Sequence, residues 1–190
     1  MERPAPCQTD QMLQPAPLCN TSSRDVCFSW EQYHRLIEHL ALQVHHGGCR
    51  FDQIVALSRG GLRVGDALSR LYQRPLVVMA ASSYGGDGDR SQGTLTLGTQ
   101  LAYTCPSLGP RLLLVDDLAD SGATLLAARH WLVENLRVDA VQTAVLWLKA
   151  SSGFQPDYWA MELPNNPWVL QPFEHWEQLR PEQLQPLNEA

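Results

Sequence analysis

The stretch LLLVDDLADSGAT, residues 112–124, joins an apolar run, an acidic pair and a small-residue loop. Its first four residues, 112–115, predict a buried parallel strand. Asp116 and Asp117 follow where that strand is expected to end, and the polar loop at 120–124 leads into an apolar-periodic helix. A small-residue loop before a helix N-terminus presents backbone N–H groups to a phosphate. Carboxylates would repel a phosphate unless they hold sugar hydroxyls or a divalent metal, so the pattern favours a sugar phosphate.

The rest of the chain alternates strands with helices. Ser29 and Gln32 form a capping-box signature that opens a helix ended by two glycines at 47–48. The pattern predicts strands at 52–57, 76–80, 111–115 and 140–148, with helices after Gly61 and over 123–137, and a mobile loop with a short hairpin over 84–100. This alternation predicts an α/β fold, a mostly parallel sheet flanked by helices, with a small C-terminal hood. The predicted boundaries are a loosely attached extension over 1–25, the α/β core over 26–150, and a hood and tail over 151–190.

Composition bounds the class of protein. The chain has 190 residues, 44% of them hydrophobic and 18% charged, which fits one globular domain. We expect no integral membrane segment and no secretion signal, because no apolar run has the required length. The five cysteines are scattered without a Cys-x-x-Cys pair, which favours a reducing cytoplasm and argues against a zinc site. A net charge of −6 argues against nucleic acid as a partner.

Four strand ends carry polar or charged residues. They are the SRGG turn at 58–61, Ser82 to Tyr84, the loop at 116–124, and Lys149 after the strand AVQTAVLWLK. In an open parallel sheet, ligands bind outside the carboxyl ends of the strands. The sequence therefore predicts one cleft that these four tips share.

The segment VDDLADSGAT resembles the phosphoribosyl-diphosphate signature of the type I phosphoribosyltransferases. It differs at Ser121, where the family more often has threonine, and a serine keeps the hydroxyl that could bond the 5′-phosphate. The resemblance implies phosphoribosyl diphosphate as a substrate, Mg²⁺ as a cofactor held by Asp117, and Asp120 as the catalytic acid or base near purine N7. The implied contacts of phosphoribosyl diphosphate are Arg59, Gly60, Asp116, Asp117, Ser121, Gly122, Ala123 and Thr124.

Two more segments resemble the 6-oxopurine members of that family. SRGG at 58–61 is similar to their pyrophosphate loop, in which a non-proline cis peptide is common. DYWAMELPNNPWVLQPFE at 157–174 is similar to the base-binding hood of the bacterial xanthine-guanine enzymes. There Trp168 would stack on the purine, Val169 would offer backbone groups to its edge, and Lys149 would bond the oxygen at C6.

The resemblance implies transfer of the phosphoribosyl group to guanine, xanthine or hypoxanthine, giving the nucleoside monophosphate and pyrophosphate. Ser83, Tyr84 and Arg90 would be contacts of a loop that closes over the site and keeps water from the reacting sugar. It also implies a homodimer or a homotetramer.

Simpler explanations exist for each residue. SRGG could be an ordinary turn, the acidic pair a solvated strand end, and Asp120 a helix cap. Lys149 could be a surface exit from its strand, and the C-terminal aromatics could anchor a tail. For the whole chain, the alternative is a non-catalytic regulator or ligand sensor of the same fold. A phosphate-receiving signalling domain is a weaker alternative, because residues 53–57 lack the acidic pair that it needs.

Overall fold

The computed structural model describes residues 25–84 and 94–184. Within these ranges the chain forms three α-helices and eight strands, with two short 3₁₀ helices near the C-terminus. The strands are β1 (Asp25–Cys27), β2 (Gln53–Ser58), β3 (Leu76–Tyr84), β4 (Thr94–Ala102), β5 (Arg111–Ala119), β6 (Ala140–Lys149), β7 (Tyr158–Leu163) and β8 (Trp168–Leu170). The helices are α1 (Trp30–His46), α2 (Gly61–Tyr72) and α3 (Ala123–Asn135). The predicted capping box is confirmed, since the Ser29 N–H donates to Gln32 Oε1 at 2.8 Å and the Gln32 N–H donates to Ser29 Oγ at 3.2 Å.

The main sheet has the order β4-β3-β2-β5-β6-β7. All neighbouring strands in it are parallel except β3 and β4, which run antiparallel. Chain connections leave β2 through α2 to β3 on one side, and leave β5 through α3 to β6 on the other. The predicted class, a mostly parallel sheet with flanking helices, is confirmed.

Both faces of the central strands are buried. Val55, Leu57, Leu112 and Leu114 belong to the core cluster that includes the inner face of α3. The alternate residues of the same strands point the other way and are also buried, and there Gly65 of α2 approaches Ala56 so closely that an added Cβ would lie 2.6 Å from the Ala56 methyl group. Burial on two faces explains why these strands are continuous apolar runs in the sequence.

Two segments differ from the predictions. Residues 94–102 form a full strand, β4, where the sequence predicts a mobile loop with a short hairpin. Leu97 and Leu101 pack against the core cluster, and this tertiary contact outweighs the polar, glycine-rich composition around them. In addition, residues 158–163, predicted as part of the hood, form β7 and extend the main sheet beside β6.

The chain divides into two compact units. The larger unit contains residues 36–166 and therefore the whole main sheet. In the other unit, β1 and β8 form a parallel two-stranded sheet, and the ring of Phe173 packs against Trp30 and Tyr33 with centroid distances of 6.2 and 5.8 Å. The predicted extension lies outside the described residues except for Asp25, which begins β1.

Among the described residues, no helix combines the length and the apolar character needed to cross a bilayer.

Candidate active site

The crevice between the ends of β2 and β5 is the place where the sheet topology leaves room for a ligand. These strands are parallel neighbours, with Ala56 opposite Val115, and their outgoing loops turn to opposite sides of the sheet. Loops that diverge in this way open a crevice at the carboxyl edge of the sheet. The tips after β2, β5 and β6 that the sequence predicts as one site all lie at this edge.

The loop at 58–61 packs directly on the end of β5. Its Ser58–Arg59 peptide bond is cis, as the resemblance implies. A Cβ on Gly60 would lie 2.5 Å from Cγ of Asp117, and a Cβ on Gly61 would lie 2.5 Å from the carbonyl oxygen of Val115. The two glycines therefore allow the loop to approach the acidic strand. At Gly61, where the neighbouring atoms belong to the backbone, this requirement for glycine exists before any ligand is considered.

The acidic pair lies within β5, which continues to Ala119 and is longer than the predicted strand. The backbone N–H of Asp117 donates to Asp116 Oδ1 at 2.9 Å, and the N–H of Gly61 also donates to the Asp116 carboxylate. Burial of this carboxyl group, with the negative charge of Asp117 beside it, raises the pKa of Asp116 well above its usual value of 3.8. Asp116 is half-buried and its carboxylate accepts two backbone N–H groups, so it is not a freely solvated strand end.

The loop at 120–122 leads into the N-terminus of α3. Gly122 has φ +76°, a left-handed conformation that favours glycine, and its carbonyl accepts from the N–H of Leu126 at 3.0 Å. The Ser121 hydroxyl accepts from the N–H of Ala123 at 3.3 Å. Ala123 is exposed and Thr124 half-buried, in the first turn of a 13-residue helix whose N-terminal dipole favours an anion. The predicted phosphate loop therefore lies at a helix N-terminus, and its contact with a phosphate stays a prediction.

Lys149 and Asp120 form an ion pair, with Lys149 Nζ 2.7 Å from Asp120 Oδ2. The lysine side chain is 6% exposed and that of the aspartate 47% exposed, so the carboxylate faces solvent and the ammonium does not. Lys149 is therefore not a surface exit from β6. Asp120 does not cap α3 either, because the N-cap position is Gly122 and has no side-chain cap.

The loop at 151–154 supports the site, a role that the sequence pattern did not predict. An added Cβ on Gly122 would lie 2.7 Å from both Ser152 Oγ and Phe154 Cβ, and the N–H of Gly153 donates to the Ser121 carbonyl at 3.0 Å. The Ser152 hydroxyl in turn donates to the Phe154 carbonyl at 2.8 Å. These contacts hold the loop at 120–122 in position. The small-residue run after Lys149 is the signal that could have indicated them.

The other predicted site residues lie at the end of β3, in the smaller unit, or outside the described ranges. The backbone of Ser83 and Tyr84 ends β3 at the same edge of the sheet, while Arg90 lies outside the described residues. Trp168 and Val169 are in β8 of the smaller unit, where Trp168 is 37% exposed and Val169 is buried and paired with Val26. Their contact with a base stays a prediction.

Comparison with known proteins bears on the family and the fold of this chain. The family model described as the phosphoribosyl transferase domain matches residues 29–178. The chain is 29% identical to a xanthine-guanine phosphoribosyltransferase of Idiomarina loihiensis over 154 residues, which cover 80% of this chain and 89% of the relative. A purine phosphoribosyltransferase structure from Pyrococcus horikoshii is similar with a TM-score of 0.60 and 26% identity, covering 88% of this chain and 99% of that one.

The fold is also similar to that of the xanthine-guanine-hypoxanthine phosphoribosyltransferase of Helicobacter pylori, with a TM-score of 0.64 and 22% identity over 81% of this chain and 96% of the other. The family match spans the whole main sheet, the loop at 58–61, the acidic pair and the loop at 120–122. On this evidence the chain belongs to the phosphoribosyltransferase family.

Proposed function

We propose that this protein transfers the 5-phosphoribosyl group from phosphoribosyl diphosphate to a 6-oxopurine base, forming the nucleoside monophosphate and releasing pyrophosphate. The observation that carries the proposal is the ion pair of Lys149 and Asp120 beside the phosphate loop. A 6-oxopurine presents its C6 oxygen and N7 on one edge. An ammonium that donates to the oxygen and a carboxylate that manages the proton at N7 match that edge. The names of the relatives, which are purine and xanthine-guanine enzymes, support the same substrate class.

The reaction places most of its demand on electrostatics and positioning. Breaking the bond from the sugar to pyrophosphate leaves positive charge on the ribose and negative charge on the leaving group. The N–H groups and hydroxyls of 120–124 would hold the 5′-phosphate, and the Arg59 guanidinium would offset charge on the pyrophosphate. Asp116 and Asp117 would orient the ribose hydroxyls. Because these protein groups hold the substrates in fixed positions, they lower the entropic cost of bringing the base and the sugar together.

The acidic pair also fits a magnesium ion. Mg²⁺ is usually bound through one or two carboxylates together with substrate phosphates. The structure supplies two adjacent carboxylates, and the described residues contain no group of three or more His, Cys, Asp and Glu that would form a site from protein alone. Asp117 would hold the ion, which when bound would supply positive charge near the leaving pyrophosphate. Its proximity would also relieve the repulsion within the pair.

The remaining parts of the site complete the proposal. Trp168 would stack on the purine with Val169 presenting its backbone to the base, and Ser83, Tyr84 and Arg90 would close over the reacting sugar. Stacking of a base on an aromatic ring contributes about 1–3 kcal/mol in nucleic-acid binders. We also propose a homodimer or homotetramer, which light scattering would test, and a location in the reducing cytoplasm.

The test is release of pyrophosphate from phosphoribosyl diphosphate and Mg²⁺ with guanine, xanthine or hypoxanthine, and with orotate as a pyrimidine control. We expect turnover with at least one purine and none with orotate. Asp120→Asn should lower kcat by about 10²–10⁴-fold, the usual contribution of a general acid or base, with nearly unchanged affinity for phosphoribosyl diphosphate. Asp66→Asn, at a surface carboxylate of α2, is the matched control and should retain activity.

Each other outcome has a distinct meaning. Binding of phosphoribosyl diphosphate without turnover of any base would favour the non-catalytic regulator. Turnover with orotate alone would show that the substrate class is wrong. Full activity of Asp120→Asn would remove this carboxylate from the mechanism.

A further inference from the structure

A second cavity, of about 360 Å³, opens at the amino edge of the main sheet. Because the central strands are parallel, this edge is opposite to the one that carries the candidate active site. The segments that line the cavity precede β2, end α2 and begin β5. Its lining residues are Cys49, Arg50, Phe51, Tyr72, Arg74 and Arg111.

The charge of this cavity is opposite to that of the whole chain. Three of the chain's 14 lysines and arginines line it, although the net charge of the protein is −6. The other two polar residues that line the cavity, Cys49 and Tyr72, are uncharged at neutral pH. Burial raises the pKa of Cys49 to about 11 and also raises the pKa of Tyr72. Guanidinium groups match the geometry of phosphate oxygens and form paired hydrogen bonds with them.

One of the three arginines is already neutralised. Arg111 Nη2 lies 2.7 Å from Asp52 Oδ1, and Arg111 Nε donates to Oδ2 of the same carboxylate at 3.2 Å. The backbone N–H of Arg111 adds a third bond to Asp52 Oδ2 at 3.1 Å. This arrangement fixes Arg111 as a wall of the cavity. Arg50 and Arg74, both exposed, supply the remaining positive charge, and Arg74 lies close enough to Asp52 to help lower the pKa of that carboxyl group.

The end of α2 does not account for these arginines. Negative helix C-termini often attract cations, and α2 ends at Tyr72 beside the cavity. However, the carbonyls of Ser69 and Arg70 already accept backbone N–H groups from Arg74 and Gln73, at 3.1 and 3.3 Å. The Ser69 hydroxyl also donates to the Arg74 carbonyl at 2.6 Å, which fixes the backbone at that position. The guanidinium groups are therefore not needed to cap the helix.

Aromatic residues give the cavity a rigid, less polar side. The rings of Phe51 and Tyr72 meet edge to face with centroids 5.0 Å apart, and the Tyr72 hydroxyl donates to the Ala41 carbonyl at 2.6 Å. The cavity volume lies in the usual range for small-molecule sites. Fixed rings beside exposed cations suit a ligand with a phosphate group on a compact organic body.

We propose that this arginine cavity binds a small phosphorylated metabolite through its phosphate oxygens, at a site separate from the candidate active site. The proposal does not depend on the transferase activity, because none of its residues belongs to the loops at 58–61 or 116–124. Bound ligand would leave the active site open.

Amide chemical shifts of the ¹⁵N-labelled full-length protein can test this site, with inorganic triphosphate and inorganic phosphate as probes. NMR separates binding at the two edges of the sheet, which matters because phosphate probes should also reach the active-site loop. We expect saturable shifts at Arg50, Phe51 and Arg74 that are distinct from those at 120–124. Higher salt should weaken probe binding at the cavity and at 120–124.

The double variant Arg50→Gln/Arg74→Gln removes the two available charges. Since a hydrogen bond to a charged group is worth more than a tenfold factor when well formed, and both side chains are exposed, we expect about 30-fold weaker triphosphate binding at the cavity. Shifts at 120–124 should persist, which also shows that the variant is folded. Arg129→Gln/Arg137→Gln is the charge-matched control and should bind like the wild type. Absence of saturable shifts at the cavity with millimolar probe, or equal losses in both double variants, would overturn the proposal.

Discussion

Alanine substitutions at Gly60 and Gly61 separate the packing of the 58–61 loop from the chemistry that it supports. An added Cβ at Gly61 would lie 2.5 Å from the Val115 carbonyl oxygen and 3.0 Å from the Asp116 Cα, which are backbone atoms of a central strand. An added Cβ at Gly60 would instead meet the carboxyl group of Asp117. Only movement of the loop or the strand relieves the first contact, whereas rotation of one side chain relieves the second.

The expected stability changes follow from this difference. Overpacking against rigid neighbours costs about 1–3 kcal/mol. Replacing glycine with alanine returns about 0.4–1 kcal/mol where the backbone suits alanine, by restricting the unfolded chain. Gly60 has ordinary helical angles, φ −55° and ψ −51°. We therefore expect Gly61→Ala to lower the free energy of unfolding by about 1–2 kcal/mol, and Gly60→Ala to change it by less than about 0.5 kcal/mol.

Gly60→Ala should affect substrate binding more than it affects stability. Gly60→Ala keeps the fold but turns the Asp117 carboxylate away from its position, so affinity for phosphoribosyl diphosphate with Mg²⁺ should fall. Urea unfolding followed by tryptophan fluorescence measures the first effect, and calorimetric titration measures the second. With a typical denaturant slope of about 2 kcal/mol per molar urea, the midpoint of Gly61→Ala should fall by about 0.5–1 M.

Gly153→Ala is the matched control, because its added Cβ would make an ordinary contact of 3.6 Å with the Ser121 carbonyl. Its urea midpoint should stay close to that of the wild type. Equal midpoints for Gly60→Ala and Gly61→Ala would refute the reasoning, and so would undiminished ligand affinity in Gly60→Ala.

Three further changes test other contacts. Hydrogen bonding from Arg111 lowers the pKa of Asp52 below 3.8, so this carboxylate stabilises the fold above that pH and loses its contribution as the pH falls through the lowered value. The loss of stability that Asp52→Asn causes in urea should therefore vanish in acid. A loss that does not depend on pH would contradict this. Burial raises the pKa of the Cys49 thiol to about 11. In a variant whose sole cysteine is Cys49, the alkylation rate should therefore keep rising with pH up to that value. A plateau of the rate near pH 9 would disprove the raised pKa. Gly122→Ala forces alanine into φ +76° at a cost of about 1–2 kcal/mol and should lower Tm by roughly 2–8 °C, whereas an unchanged Tm would show that the loop can rearrange.

Local patterns were sufficient for much of the α/β core. The apolar runs at 53–57 and 112–115 and the capping box at Ser29 predict elements that the structure contains. Their signal is strong because strands buried on both faces have few polar residues. The strand β4 was missed because two leucines packed on a distant core outweigh the polar residues between them, and periodicity within a short segment does not report such contacts.

The sequence alone predicts three parts of the candidate site, because each is a short motif with its own local chemistry. They are the acidic pair, the predicted phosphate loop and the lysine at the end of β6. Their mutual arrangement is a different kind of information. The contact of Gly60 with Asp117, the ion pair between Asp120 and Lys149, and the arginine cavity at the opposite edge join segments that are 21 or more residues apart. Strand order and register create these neighbours, and both depend on packing across the whole sheet, which no single stretch of residues encodes.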